Sequence, residues 1–294
     1  MFPSSRSFPR TLSLFGLIVV TVLLLASCGP SNPAVQTSAY DRAKEAFNSG
    51  KLDKALDLTD KLATATPPED ATPRAQVLRA VIYAGELNGA KELAEAYHKG
   101  AEKATASPAR SGYHRLQHDT LVTAGKAALG LAATAHQIAP DGVIAKELTL
   151  DASYPAAEGP SEIKELATVE AGTLIEPDQQ ESVSVDAMRK GVDDALGEVV
   201  GGDQAKARNV LASGSAKLEG TAFAIFLAQE LAEGAVVFDK HHSLDPQRLR
   251  SLCDEADETL KAALALLKDT PNKDQEKEVK KLQDKFKALR KSVA

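Results

Sequence analysis

His114 and His118, in "GYHRLQHDT", are the only pair in the chain with metal-ligand spacing. Four residues apart on a helix, they share one face and can direct two imidazoles at one zinc ion, with Asp119 adjacent. A hydrolytic HExxH site also needs Glu directly after the first histidine, and that place holds Arg115, a cation that opposes a metal. A third ligand would come from His98, His136, His241 or His242, and no spacing selects among them. The pair is thus a candidate for a metal-dependent hydrolase, against the plainer account of solvated or packing histidines. Ser215 in "LASGSAKLEG" has glycines near it, but inside helical text and not at the strand-to-helix turn that exposes a nucleophile. "GGDQ" at 201–204 is too short for a phosphate loop and lacks the following Lys-Ser/Thr. "DKHH" at 239–242 lies at an expected helix end, where polar residues commonly cap. These motifs call for no cofactor, and they favour binding over catalysis.

The two cysteines differ in kind. Cys28 follows Arg6 and Arg10, an apolar stretch from Leu12 to Leu25, and the small residues Ala26 and Ser27. That order is a secretory signal over residues 1–27, with an apolar stretch shorter than the ~20 residues of a spanning helix. Leu25-Ala26-Ser27-Cys28 resembles the lipobox of bacterial lipoproteins: an aliphatic residue, two small ones, then Cys. The resemblance implies cleavage before Cys28, diacylation of its thiol and frequent acylation of the new amino terminus. At about 0.8 kcal/mol per buried methylene, two or three acyl chains anchor a protein stably where one would not. Gly29, where the family's inner-membrane retention signal places Asp, implies the outer membrane, on the leaflet facing the periplasm. Pro30, Ser31, Asn32 and Pro33 begin a polar tether over residues 28–38. Cys253, in "RSLCDEADETL", is then left alone, beside an apolar Leu and four acids that would raise its pKa, as a small packed residue.

The composition favours helices as the elements that hold these residues. The chain is 43% hydrophobic but only 4% aromatic, with no Trp and much Ala, which suits closely packed helices better than strands. Losing residues 1–27 removes Arg6 and Arg10 and no acid, taking the formal charge from −6 to −8. An acidic body excludes a general nucleic-acid binder and should not lie flat on anionic lipid. The expected fold is all-α: α-solenoid-like helical hairpins over 39–139, a Pro-rich irregular linker or lid over 140–184, and a second helical bundle over 185–294.

In "AYDRAKEAFNSGKLDKALDLTDKLATATPPED" the apolar face of Ala43, Ala46 and Phe47 is followed by Gly50, then by Leu52, Ala55, Leu58 and Leu62. This predicts a helical hairpin with a Gly turn, closed by Pro67-Pro68. A shift of 35 residues lays Gly50 on Gly85, Leu52 on Leu87, Ala55 on Ala90 and Leu58 on Leu93. These positions resemble a tetratricopeptide repeat, two antiparallel helices in 34 residues, over about 39–106 and weakly over 107–138. An ordinary helical bundle with a chance internal echo accounts for the same spacing. The resemblance implies a groove for an extended peptide or a partner's helix, which would present Tyr40 and Lys44 from the first copy and Arg79 and Tyr83 from the second. Plain surface or inter-helix packing fits the same four positions.

Farther on, Leu116, Leu121, Ala124, Ala128, Leu131 and Ala135 mark one face of a longer helix ending near Ala139-Pro140. "ELTLDA" and "TLIEP" are candidate extended pieces. Residues 221–238 are the most apolar stretch after the signal, but Gln229, Glu230 and Glu233 make a central buried helix a better account than a membrane span. A helix over 245–268 starts with Asp245 as N-cap and Pro246 in its first turn. The last helix has a stripe of Val279, Leu282, Phe286 and Leu289, with eight basic against four acidic residues between Lys273 and Lys291. Together with the lipobox, the helical repeats lead to an expectation of a lipid-anchored envelope scaffold that binds another protein. Its alternative is a metal-dependent envelope enzyme using His114 and His118.

Overall fold

The structure, a computed structural model, describes residues 33–63, 71–153, 163, 165–241 and 245–292. The signal segment, Cys28, the start of the tether, Pro67-Pro68 and His242 lie outside the described residues. Helices α1 (Pro33–Asn48) and α2 (Leu52–Ala63) form the expected hairpin. Gly50 between them takes φ +68°, and the amides of Gly50 and Lys51 donate to the carbonyls of Phe47 and Ala46. That pair of bonds closes the helix end, and a left-handed residue is needed to make it. Because α1 opens at Pro33, whose fixed φ suits a first helical position, the expected tether is already helical from 33 onward.

The second hairpin of the repeat is absent. Helix α3 (Thr72–Lys103) runs straight through Gly85, where a turn was expected, for 32 residues. It is buried nearly all round, from Ala75, Leu78 and Ile82 to Leu93 and Tyr97, which makes it a central helix instead of a repeat unit with one outward face. Gly85 and Gly89 serve a helix crossing. A Cβ at Gly89 would come within 2.2 Å of the Ala187 carbonyl oxygen, and one at Gly85 within 2.3 Å of Val192. Both neighbours belong to α6 (Pro177–Val199), which lies directly on this face of α3.

Antiparallel to α3 runs α4 (Ser107–Ile138), ending where expected. A short strand, β1 (Glu147–Leu150), coincides with "ELTLDA" and pairs antiparallel with β2 (Ala216–Glu219), Leu148 opposite Leu218. Ser215 is therefore at the start of a strand, not within a helix, while the expected extended piece "TLIEP" forms no strand. The remaining helices are α5 (Leu166–Glu170), α7 (Gln204–Leu211), α8 (Gly220–His241), α9 (Pro246–Asp269) and α10 (Lys273–Ser292). Asp245 caps α9 by accepting the Arg248 amide at 3.0 Å, and Asp203 caps α7 likewise.

Helix α8 is the second central element, packed against α3, α4, α6, α9 and α10. It is long and apolar enough to cross a bilayer, yet 78% of its apolar window is buried inside the fold. The stripe of α10 is buried as well, with Phe286 at its centre. One contiguous core runs from Tyr40 to Leu289, so the helices before 140 and after 184 share an interior. The intervening segment contributes to a smaller cluster through Ile163, Val169 and Ile175, and Tyr113 donates to the Thr173 carbonyl.

Candidate functional site

His114 and His118 project from α4 into solvent on one face, and no group of three metal-ligating side chains occurs among the described residues. Elsewhere, His98 faces Glu102 at 3.5 Å and His136 faces Glu255 at 3.4 Å, so the described candidates for a third ligand are spread over separate surfaces. Cys253 is buried, and burial, against the pull of Arg290 and with the charges of Asp254, Asp257 and Asp239, pushes its thiol up to about 11, which suits an inert packed residue. Asp239 accepts from Ser292 at 3.1 Å at the α8–α10 contact.

The four groove candidates fall into two internal polar clusters instead of one partner-facing line. Tyr40 is 1% exposed, and its hydroxyl donates to the Asp151 carbonyl at 3.0 Å. Lys44 pairs with the Asp151 carboxylate at 2.7 Å and also donates to the Gly214 carbonyl. Arg79 is 6% exposed; it pairs with Asp60 at 2.9 Å, donates to Gln137 and lies over the Tyr83 ring. Tyr83 fills the space above Gly130 on α4. On the continuous α3, Arg79 and Tyr83 are turned toward α2 and α4, while Tyr40 and Lys44 on α1 are turned toward Asp151 and Gly214, so all four make contacts inside the fold.

A deep recess lies elsewhere. It is an open cleft of about 1330 Å³ walled by α3, α6, α8 and α10, with α5 and the 201–204 turn at its ends. Nine carboxylates line it against five lysines. Every one of those lysines has a partner: Lys91 and Lys285 both reach Glu233 at 2.7 Å, Lys99 reaches Glu170, Lys240 reaches Glu95, and Lys281 reaches Glu278. Burial alone would raise the Glu233 carboxyl, but the hydrogen bonds from Lys285 and Lys91 outweigh it and bring it down to about 2.

Glu230 differs. It is 3% exposed, and its Oε1 accepts from Asn88 Nδ2 at 3.2 Å. Its Oε2 has no donor, and the nearby charge of largest effect on the group is the Glu198 carboxylate, which lines the same cleft. Burial, then the charge of Glu198, raise the Glu230 carboxyl well above its usual range, against the pull of Asn88 and Lys91.

The sequence reading passed over this site. Its signal was there: an acid in the most apolar helix of the body has to be neutral or paired. Glu230 and Glu233 nonetheless served only as an argument against a membrane span, since the partners Asn88, Lys91, Glu198 and Lys285 come from three other helices. The fold and cleft define an all-α protein, with one small strand pair and an acidic recess, and no family model, curated protein or solved structure matches the chain.

Proposed function

We propose that this chain is a lipid-anchored cell-envelope protein that works by binding, with the acidic cleft between α3, α6, α8 and α10 receiving a basic segment of a partner protein. The observation that carries the reading is the cleft itself. Its volume of about 1330 Å³ exceeds the 300–1,000 Å³ typical of small-molecule pockets, and its lysines are already paired with its own acids. Lys190 holds two further lining acids, Glu92 and Asp194, and acids still outnumber cations, so the remaining negative charge would steer a cationic segment toward the cleft. Anchoring rests on the lipobox-like Leu25-Ala26-Ser27-Cys28, and Gly29 favours the periplasmic face of the outer membrane. An acidic body held by acyl chains stays off anionic lipid and keeps its cleft available.

Two measurements test this in intact cells. Cys28→Ala should move the chain out of the membrane fraction; unchanged fractionation would sink the lipoprotein assignment. A photo-crosslinking residue at Lys281, on the cleft rim, should capture a discrete envelope protein that the same residue at Lys217, on the exposed face of β2, does not. Equal capture, or none, at the two positions would remove the binding role of the cleft.

A further inference from the structure

The floor of the cleft is more specific than its acidic rim. Glu230 is buried on α8 among Leu227, Leu231 and Ala232, all inaccessible, and yet it lines the recess. From α3, Asn88 donates to one oxygen, and Lys91, the nearest cation on that helix, is held by Glu233. From α6, the carboxylate of Glu198 acts on Glu230 and is itself exposed to the recess, while Asp194 is held by Lys190, which also pairs with Glu92. From α10, Lys285 is likewise held by Glu233, and Glu278 is engaged with Gln229 and Lys281. The pair thus holds two acceptor groups, one donor from Asn88, and no cation within ion-pair distance among the described residues.

We infer that Glu198 and Glu230 form a subsite for a guanidinium or ammonium side chain, which enters between the two carboxyl groups and supplies the donors that the fold withholds. This deepens the binding role proposed for the cleft, and rests on it. A guanidinium suits the site best: its planar fork offers donors to both carboxylates at once, and it stays charged at any physiological pH. Entry of the cation expels the proton that burial holds on Glu230. Binding is therefore coupled to release of about one proton, and it tightens as pH rises through the titration of Glu230.

The probe is the acetylated, amidated peptide Gly-Gly-Arg-Gly-Gly, compared with the same peptide carrying citrulline, which keeps the shape and loses the charge. Calorimetric titration of the mature chain in detergent, in two buffers of different ionisation enthalpy, reads affinity and proton release together. The arginine peptide should bind at least tenfold more tightly than the citrulline peptide, more tightly at pH 8 than at pH 6, and with proton release. Glu230→Gln keeps the neutral shape of the protonated acid and should fold normally; it should lose the proton release and about tenfold in affinity. Glu198→Gln, at the exposed partner, gives the same readout should the buried variant be unstable. Equal affinity for the two peptides, or arginine binding that ignores pH and both substitutions, would overturn the subsite. Capture of a partner at Lys281 that persists in Glu230→Gln would leave the cleft's binding role standing while the subsite fails, whereas arginine-selective binding without such capture would do the reverse.

Discussion

At the scale of single residues, the fold is tied together by polar groups that work inward. Asp151 accepts from Lys44 at 2.7 Å and from Arg74 at 3.1 Å, while its carbonyl accepts from Tyr40, over whose ring Arg74 lies. One short side chain after β1 thereby joins α1 to α3. Asp151→Asn would leave two cations without their counter-ion. Since Lys44 and Arg74 are 26% and 37% exposed, water recovers part of the loss, and the cost should be about 1–2 kcal/mol rather than the 3–5 of a fully buried pair. Urea unfolding checks this, and the difference from wild type should shrink in 1 M salt. Tyr40 and Lys44 were legible in the sequence as notable residues of a helix face. Their direction was not, because Asp151 is more than a hundred residues away and no local pattern points to it.

At the scale of elements, hydrophobic period located most helices, and the error it made is instructive. Gly85 reads as a turn because it aligns with Gly50, which is one. The spacing Gly85-Glu86-Leu87-Asn88-Gly89 also places two glycines one turn apart on a continuous helix, and this is what the chain uses. Local sequence cannot separate the two uses, since the choice is made by α6, whose Gly191 meets the same spot. A Cβ on Gly191 would lie 2.0 Å from the Gly85 carbonyl oxygen and 2.6 Å from the Gly89 nitrogen, both rigid backbone. Gly191→Ala should therefore push α6 from α3 and cost about 2–3 kcal/mol or more. Gly234→Ala on α8 is the matched control. Its Cβ would meet the Ala128 Cβ and a Leu87 methyl, both at 3.3 Å; Leu87 can turn aside and the Ala128 contact needs a shift of only a few tenths of an ångström, which the gain in helix propensity of about 1 kcal/mol offsets. Thermal denaturation of the two variants should show a marked fall for the first and little change for the second.

At the scale of the whole molecule, a core shared by helices from both ends of the chain places its ionisable groups between elements far apart in sequence, and its pH response follows from that. An all-α fold was legible in the Ala-rich, aromatic-poor composition, and the buried α8 in its apolar run. The cleft was not, because its acids and lysines are ordinary helix-surface residues until α3, α6, α8 and α10 face one another. Glu86 shows the same effect outside the cleft. It is partly buried on α3, and burial first, then the charge of Asp53 on α2, raise its carboxyl from 4.5 to about 7. The folded chain then holds a proton there that the unfolded chain releases, so stability falls as pH rises from about 4.5 to about 7. A displacement of that size corresponds to roughly 3 kcal/mol. Glu230, raised in the same direction, adds to the trend, whereas Glu233 contributes stability above 4.5 that is lost only as pH falls toward 2. Glu86→Gln removes the first contribution. Its urea midpoint should exceed that of the wild type at pH 8, approach it at pH 4.5, and decline less between the two. A wild-type midpoint that rises over this interval, or a variant that follows it in parallel, would show that Glu86 is ionised in the fold without penalty.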